Sequence, residues 1–523
     1  MMGPARRGPD RYTEYRGLTH HLCFHRLAIH DMSPVGDQPF DMTDKDGVRQ
    51  LLMCNGEIYN YKEIQDSYGF DLESKSDCEI IAHLLKEHNY NMAKVLNVIQ
   101  GEFAIVVMLQ YPNGKYRVLA ARDPFGVRPL YYGSTDKGYV FSSTLSGIVG
   151  LDPTAIGDHL PPGTFLDIFN ETSVLHGYYD IRNRVESLPS NTSLHAMYKK
   201  VTDALINSVK RRLDSERDLG FLLSGGLDSS LVVAIAVKIL GYQRPRTFSI
   251  GMKHGKDLEY AQKVAKYLNT DHTEVHFTPS EGTHAVHDVI QTLETYDITT
   301  IRASVGQYLL AKHISEKTKV KVILNGDGAD EAECGYLYFY YAPSAEDAHK
   351  ESVRLLRDIY MYDGLRVDRT LSGHGLEARV PFLDTEFVEA YLSIPADLRA
   401  PKVGSQTEKQ FLRDAFHALY PDILPYDVLY RKKEAFSDGV SDTKESWFAI
   451  LQEWADNIVS DKEMEVIPPR ISHLRPSTKE SYLYRDIFEG FFPDHSHVLQ
   501  YYWLPKWTNA TDPSARTLDI YEN

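Results

Sequence analysis

The chain has 523 residues, room for about two to four domains at roughly 100–200 residues each. Apolar residues make up 42% and charged residues 25%, the balance of an ordinary globular chain, which excludes a disordered, fibrous or disulfide-scaffold protein. With Lys+Arg at 57 and Asp+Glu at 73 the formal charge is −16, which argues against a general nucleic-acid or membrane-surface binder but leaves room for a local phosphate pocket. Short apolar runs at 51–54, 104–109, 116–121 and 139–142, separated by turn signals, read as strands. Tyr111-Pro112-Asn113-Gly114 between two of them reads as a hairpin. From 77 to about 87, Ile80, Ile81, Leu84 and Leu85 recur at helical spacing. Residues 1–180 are therefore expected to be strand-rich α+β, and the polar stretch 181–193, with Pro189, Ser190 and Asn191, a linker.

From 194 the pattern changes. A helix at 194–213 leads to a strand at 219–223, a helix at 229–240, a strand at 246–250, a helix at 257–268 and strands at 274–276 and 319–324. Strands alternating with helices predict a parallel, doubly wound sheet. The region after about 345 reads as mostly helical. No run approaches the roughly 20 apolar residues of a membrane helix. Cys23, Cys54, Cys78 and Cys334 form no CxxC pair and no zinc spacing, which suits a reducing compartment. The expectation is a cytosolic protein without membrane or nucleic-acid partners.

The most informative motif is Ser224-Gly225-Gly226-Leu227-Asp228-Ser229-Ser230, between an apolar strand and an apolar helix. The glycines let the backbone approach an oxyanion, the helix N-terminus aims N–H groups and its positive end at it, and the hydroxyls add donors. Asp228 fits such a site if a cation accompanies the anion, and Mg²⁺ bridging phosphates would be that cation. The Walker pattern and its lysine are absent. The loop is of the kind that binds pyrophosphate in enzymes that split ATP between its α- and β-phosphates. A second run, Asn325-Gly326-Asp327-Gly328-Ala329-Asp330-Glu331, follows the strand at 319–324. Ligands of open α/β sheets bind beyond the carboxyl ends of the strands, so Asp228 and Asp330 would hold Mg²⁺ from two sides. The alternative for the first run is an ordinary strand-to-helix turn; taken alone, the second would more often be a plain turn or a calcium-like loop, and its place beside the first points to function.

Further motifs extend along the chain: Arg7-Gly8-Pro9-Asp10, Phe24 to Ile29, Asn55-Gly56-Glu57-Ile58-Tyr59-Asn60, Ser76-Asp77-Cys78-Glu79 and Arg122 to Leu130 in the first half. In the second half they are Thr295 to Ser304, Gly375 to Asp384, Lys433 to Gly439 and Ala510 to Arg516. In this order the set resembles the glutamine-dependent asparagine synthetases of animals. The resemblance implies an N-terminal class II glutamine amidotransferase domain over 1–180, an Ntn-type αββα sandwich that is incomplete here. It implies a C-terminal adenine nucleotide α-hydrolase-like, doubly wound α/β synthetase domain over 194–523. In that family the first domain frees ammonia from L-glutamine and a tunnel carries it. The second activates the side-chain carboxylate of L-aspartate with ATP, giving β-aspartyl-AMP and pyrophosphate, and ammonia then displaces AMP. The implied cofactors are ATP as substrate and Mg²⁺, and a homodimer is the expected assembly.

Carried over by position, the resemblance places Leu222 and Ile250 in the adenosine pocket and Asn325 and Gly326 on the nucleotide. It puts Asp327 and Lys433 at the reacting groups. Arg302 and Arg379 are candidates for the aspartate carboxylates, or else structural ion pairs. In the glutaminase half it assigns Arg26, Leu27, Ala28, Ile29, His30, Asn55, Gly56, Glu57 and Asp77 to glutamine. Arg26 would take the α-carboxylate and Asp77 the α-ammonium. Asn55-Gly56 would form the oxyanion hole, the alternative being a hairpin turn.

Three departures stand out. The family's glutaminase nucleophile is an N-terminal cysteine whose free amine is the base, whereas this chain opens Met1-Met2-Gly3-Pro4. The family's segment before Arg7, on the order of 20–25 residues of strand and helix, is expected to be missing here. Truncation is the favoured explanation and a natural ammonia-dependent enzyme the other. Cys23 and Cys54 lie in apolar runs and are expected to be buried, inert thiols. Second, Asp327 stands where the family usually has Glu, and Ala329 where it has Ser. Third, Thr144 replaces a common Glu, with no role assigned. Two other functions remain open, a β-lactam-synthetase-like ligase and a non-catalytic pseudoenzyme.

Overall fold

The computed structural model describes residues 2–170, 172–253, 255–402, 407–433, 441, 446–514 and 518. Residues 434–439 of the Lys433 motif, and Ala515 and Arg516, lie outside the described residues.

The first unit comprises Met1–Asp180 with Asp214–Asp218 and Ser372–Glu377. Strands β1 (Arg11–Arg16) and β2 (His21–Arg26) form an antiparallel hairpin. Then come β3 (Phe40–Thr43), β4 (Arg49–Ile58), β5 (Gly101–Gln110), β6 (Tyr116–Arg122), β7 (Tyr131–Thr135), β8 (Gly138–Ser142), β9 (Ile156–His159), β10 (Thr164–Phe169) and β11 (Thr172–Gly177). They build a six-stranded sheet of order β11-β10-β6-β5-β4-β3 and a three-stranded sheet of order β8-β7-β9.

Period-two alternation decides how these sheets stack. Phe103, Ile105, Val107, Leu109, Leu119 and Ala121 face a core shared with Ile80, Ile81, Leu84 and Leu85 of the helix Ile80–Glu87. The intervening Ala104, Val106, Val118 and Ala120 face a second core shared with Leu130, Tyr132 and Phe141, so the two sheets pack face to face. The helix Leu145–Leu151, capped by Thr144 Oγ1 accepting from Gly147 N at 3.1 Å, buries Leu145 and Ile148 beside the second sheet. The result is an αββα sandwich. The expected hairpin joins β5 and β6, with Tyr111 N donating to Lys115 O at 2.9 Å.

The second unit comprises Ile181–Leu213, Leu219–Leu371 and Ala378–Asn523. After the helix Leu194–Arg211 come β12 (Leu219–Leu222), β13 (Arg246–Gly251), β14 (Asp271–His276), β15 (Val322–Leu324) and β16 (Glu377–Arg379), in sheet order β14-β13-β12-β15-β16. The pairings β12–β13, β13–β14 and β12–β15 are parallel. Helices Leu227–Ala234, Lys256–Leu268, Pro279–Leu293 and Ile298–Lys317 make the crossovers.

Several boundaries differ from the sequence reading. The 319–324 strand begins only at Val322, because its ladder partner β12 starts at Leu219. The 274–276 strand begins at Asp271, an edge strand whose polar residues need apolar cover on neither side. The 181–193 stretch contains a short helix, Ile181–Arg184.

Candidate active site

From β12 the chain moves to β13 and β14 on one side, then returns to β15 on the other. The gap between β12 and β15 is therefore the switch point where open α/β sheets bind ligands. The Ser224 loop leaves β12 there and the Asn325 loop leaves β15, beside a cavity of about 190 Å³. Its wall contains the expected Leu222, Ser224, Gly226, Asp228, Ser229, Ile250, Asn325, Gly326, Asp327, Asp330 and Lys433.

Gly225 and Ser230 stand outside that wall. Gly225 has φ +75°, and a Cβ there would meet Ala261 N at 2.4 Å, so no other residue passes. Ser230 is fully buried. Ser229 Oγ accepts from Ser224 N at 3.1 Å, which pins the loop. Gly226 caps the helix Leu227–Ala234 without a side-chain hydrogen bond, so the first turn presents its N–H groups to an anion.

At the mouth of this loop two acids and two amines form one cluster. Lys409 Nζ is 2.7 Å from Asp228 Oδ1 and 2.6 Å from Asp330 Oδ1. Lys433 Nζ is 2.5 Å from Asp330 Oδ2 and 3.9 Å from Asp228 Oδ2. Burial by itself would raise the pKa of Asp330, but Lys409 and Lys433 outweigh it and hold the carboxyl well below the usual range. Burial works against both ammonium groups, yet the carboxylates keep them charged, raising both pKa values. Sequence reasoning missed Lys409, which carries no local motif and reaches the site from 181 residues beyond Asp228.

A second cluster adjoins the first. Arg366 Nη2 donates to Asp327 Oδ1 and lies 3.2 Å from Asp363 Oδ2. Tyr336 Oη donates to Glu331 Oε1 at 2.6 Å and Asp363 Oδ2 at 3.1 Å. Burial pushes Asp327 up to about 6 against the pull of Arg366. Burial, then Asp363 and Asp330, push Glu331 up to about 8. Such acids exchange protons near neutral pH. Arg366, Asp363 and Glu331 all line the cavity.

The two arginines expected at the aspartate carboxylates are elsewhere. Arg302 is 3% exposed and commits its guanidinium to two acids: Nε and Nη2 to Glu480 at 2.8 and 2.5 Å, Nη1 and Nη2 to Asp512 at 2.8 Å. Arg379 is fully buried, with Nη1 donating to Arg212 O at 2.9 Å. Neither lines the cavity. Of the two readings left open, Arg302 has the geometry of a structural ion pair.

In the first unit, Arg26, Leu27, Ile29, His30, Asn55, Gly56, Glu57 and Asp77 line a smaller cavity of about 80 Å³. Ala28 does not; its N–H donates to Asp10 Oδ2 at 3.0 Å. Asn55-Gly56 lies inside β4, not in a hairpin turn. Gly56 has φ +148°, and a Cβ there would meet Glu102 O at 2.0 Å. Arg26 lines this cavity and is also tied to the backbone around it. Its Nη1 donates to Ser33 O at 2.9 Å and Asp37 Oδ1 at 2.7 Å, and its Nη2 donates to His30 O at 2.9 Å and to Asp31 O. Asp77 accepts from Ile58 N at 2.6 Å, and burial with Glu57 pushes it up to about 7, His30 pulling the other way. His30 Nε2 is 3.2 Å from Glu57 Oε2.

The cysteines divide unevenly. Cys54, Cys78 and Cys334 are buried, while Cys23 is exposed, contrary to expectation, because its apolar run belongs to the two-stranded β1–β2 hairpin. Cys78 is held well above an ordinary thiol by its hydrogen bond with Cys54 and by burial.

A sandwich of amidotransferase type followed by an α/β unit with an ATP-pyrophosphatase-type loop at its switch point defines a two-part ligase. The family profile described as "Asparagine synthase" matches residues 200–348 and 342–516, and the one described as "Glutamine amidotransferase domain" matches 3–203. The chain is 41% identical over 553 residues to a Gallus gallus protein named asparagine synthetase (glutamine-hydrolyzing), covering 99% of this chain and 95% of that protein. It is 41% identical, with the same coverage, to the proteins of that name from Mus musculus and Homo sapiens. The chain belongs to the asparagine synthetase family. Among the described residues no helix is long and apolar enough to cross a membrane.

Proposed function

We propose that this chain makes L-asparagine from L-aspartate and ammonia, using ATP to activate the side-chain carboxylate. The observation that carries the reading is the convergence of Asp228, Asp330, Lys409 and Lys433 beside the open helix end after Gly226. A carboxylate is a poor acyl donor because oxide is a poor leaving group. An aspartate β-carboxylate oxygen attacks the α-phosphorus, the bond to the β-phosphate bridging oxygen breaks, and pyrophosphate leaves. Ammonia then adds to the acyl carbon and loses a proton, and AMP departs with the former carboxylate oxygen. Catalysis at phosphorus is mostly positioning and charge neutralisation. The N–H groups after Gly226 with the Ser224 and Ser229 hydroxyls receive the pyrophosphate, and Lys409 and Lys433 balance its charge. Asp327, poised near pH 6, accepts the proton that the attacking ammonia releases.

Asp228 and Asp330 fit Mg²⁺. They offer hard oxygen donors from two elements that already converge on one cation, the Lys409 ammonium. When bound, the ion would neutralise pyrophosphate charge. In the smaller cavity, Asp77 and Glu57 form an acidic pair suited to the α-ammonium of L-glutamine.

For the polypeptide of residues 1–523 we infer ammonium as the working nitrogen donor. The two thiols at the glutamine cavity, Cys54 and Cys78, are 2% and 3% exposed, and Cys78 is held protonated; a protonated buried thiol is not a nucleophile. Four unpaired cysteines accord with a reducing cytosol. The test supplies aspartate and ATP with either ammonium or glutamine and measures asparagine and pyrophosphate. Asparagine from ammonium alone is expected. Efficient glutamine-dependent synthesis overturns the donor assignment, and pyrophosphate release that needs no aspartate overturns the substrate.

A further inference from the structure

The helix Ile298–Lys317 buries most of its surface. Thr299, Ala303, Gln307 and Leu310 recur along it at helical spacing and form the stripe that lines the larger cavity. Phe248 and Ile250 of β13, the strand on which this helix packs, line the same cavity. Phe248, Ile250, Ala303 and Leu310 give this part of the wall an apolar surface, with the hydroxyls of Ser249 and Thr299 beside them and no charged group on either element's lining residues. Two members of the stripe are polar: Thr299 Oγ1 donates to Trp503 O at 3.4 Å, whereas Gln307 is 4% exposed and its Nε2 has no hydrogen-bond partner among the described residues. A buried donor left unmade is destabilising, and natural folds leave few of them. An unpaired amide donor in a largely apolar wall is the arrangement of a ligand pocket, in which a few polar groups set orientation.

The occupant's chemistry follows from that surface. A purine has apolar faces to lie against Ile250 and the helix stripe, and ring nitrogens at its edge that accept hydrogen bonds. We propose that Gln307 Nε2 donates a hydrogen bond to a ring nitrogen of the adenine base, making it a base-reading residue of this chain. The proposal rests on the reading that ATP occupies this cavity. The amide is unpaired without nucleotide and satisfied with it, so part of the nucleotide affinity comes from relief of the vacant donor.

The experiment uses the full chain and Gln307→Leu, which keeps the side chain's bulk without its amide. KM and kcat are measured by aspartate-dependent pyrophosphate release with ATP and its 1-deaza, 3-deaza and 7-deaza analogues, each lacking one ring acceptor. In the unaltered protein one analogue is expected to show a KM about tenfold above that of ATP. In Gln307→Leu that penalty disappears, the KM for ATP itself rises by a similar factor, and kcat stays within about twofold. The melting temperature without nucleotide should rise in Gln307→Leu, and its upward shift on adding ATP should shrink. Equal analogue penalties in the two proteins, or an unchanged KM for ATP, overturn the proposal. If the unaltered protein releases no pyrophosphate with aspartate, the proposed reaction fails first. The ATP-induced melting shift then decides Gln307 separately, and an equal shift in both proteins overturns it.

Discussion

Lys409 Nζ sits 2.7 Å from Asp228 Oδ1, joining residues 181 positions apart in a contact that is 1% exposed on the lysine side. The same ammonium bridges to Asp330 at 2.6 Å. Without it two carboxylates would face each other across the phosphate loop with only Lys433 between them. Lys409→Met is therefore expected to lower kcat/KM for pyrophosphate release by about 10²–10³-fold, the scale of removing one preorganised charge from a developing anion. Lys409→Arg should recover part of it. Steady-state assays on both variants check this, and a Lys409→Met enzyme within about threefold of the unaltered one contradicts it.

Asp327 predicts a pH limb. Its carboxyl is pushed up to about 6 by burial, with Arg366 opposing, and the ionised form is the proton acceptor. Below that pH the group is protonated and inactive, so kcat should rise through about pH 6 and level off above it. Removing the cation with Arg366→Met lifts the pKa further and moves the limb to higher pH. Asp327→Asn should abolish the limb and lower kcat by about 10²–10⁴-fold. A profile with no limb near pH 6 in the unaltered protein is the contrary result.

Arg302 separates structure from substrate binding. Removing it leaves the buried Glu480 and the part-buried Asp512 without their ion-pair partner. Arg302→Met is expected to destabilise the fold by about 3–5 kcal/mol, read by denaturant unfolding. The KM for aspartate in the surviving folded fraction should be unchanged. A variant of normal stability with a raised aspartate KM would restore the substrate role.

The thiols offer a rapid check on the nitrogen-donor assignment. Cys23 is exposed, and Cys54, Cys78 and Cys334 are buried. A thiol reagent should therefore titrate one cysteine per chain under native conditions and four after unfolding. Fast native labelling at Cys78 would show a reactive thiol in the glutamine cavity and undo the argument.

Legibility in the sequence followed the range of each signal. The apolar run at 104–109 and the glycines of the Ser224 loop are local, and they led directly to β5 and to the switch-point loop. Strand β1, Arg11–Arg16, was invisible because its residues are mostly polar and half its surface meets solvent. Arg302 and Arg26 were visible as arginines, but not the acids that claim them: Glu480 and Asp512 lie 178 and 210 positions away from Arg302. Lys409 and Arg366 were missed for the mirror-image reason. Each enters the site by tertiary contact alone, Lys409 from a left-handed backbone conformation of its own at φ +57° and Arg366 from a helix 39 positions past Asp327.

The central claim is that an aspartate carboxylate attacks the α-phosphorus of ATP. It is tested most directly with aspartate carrying ¹⁸O in its β-carboxylate, incubated with ATP, Mg²⁺ and ammonium. The account predicts asparagine, unlabelled pyrophosphate and AMP with one ¹⁸O in its phosphate. ADP with labelled orthophosphate, the mark of a γ-phosphoryl route, or AMP without label would contradict it.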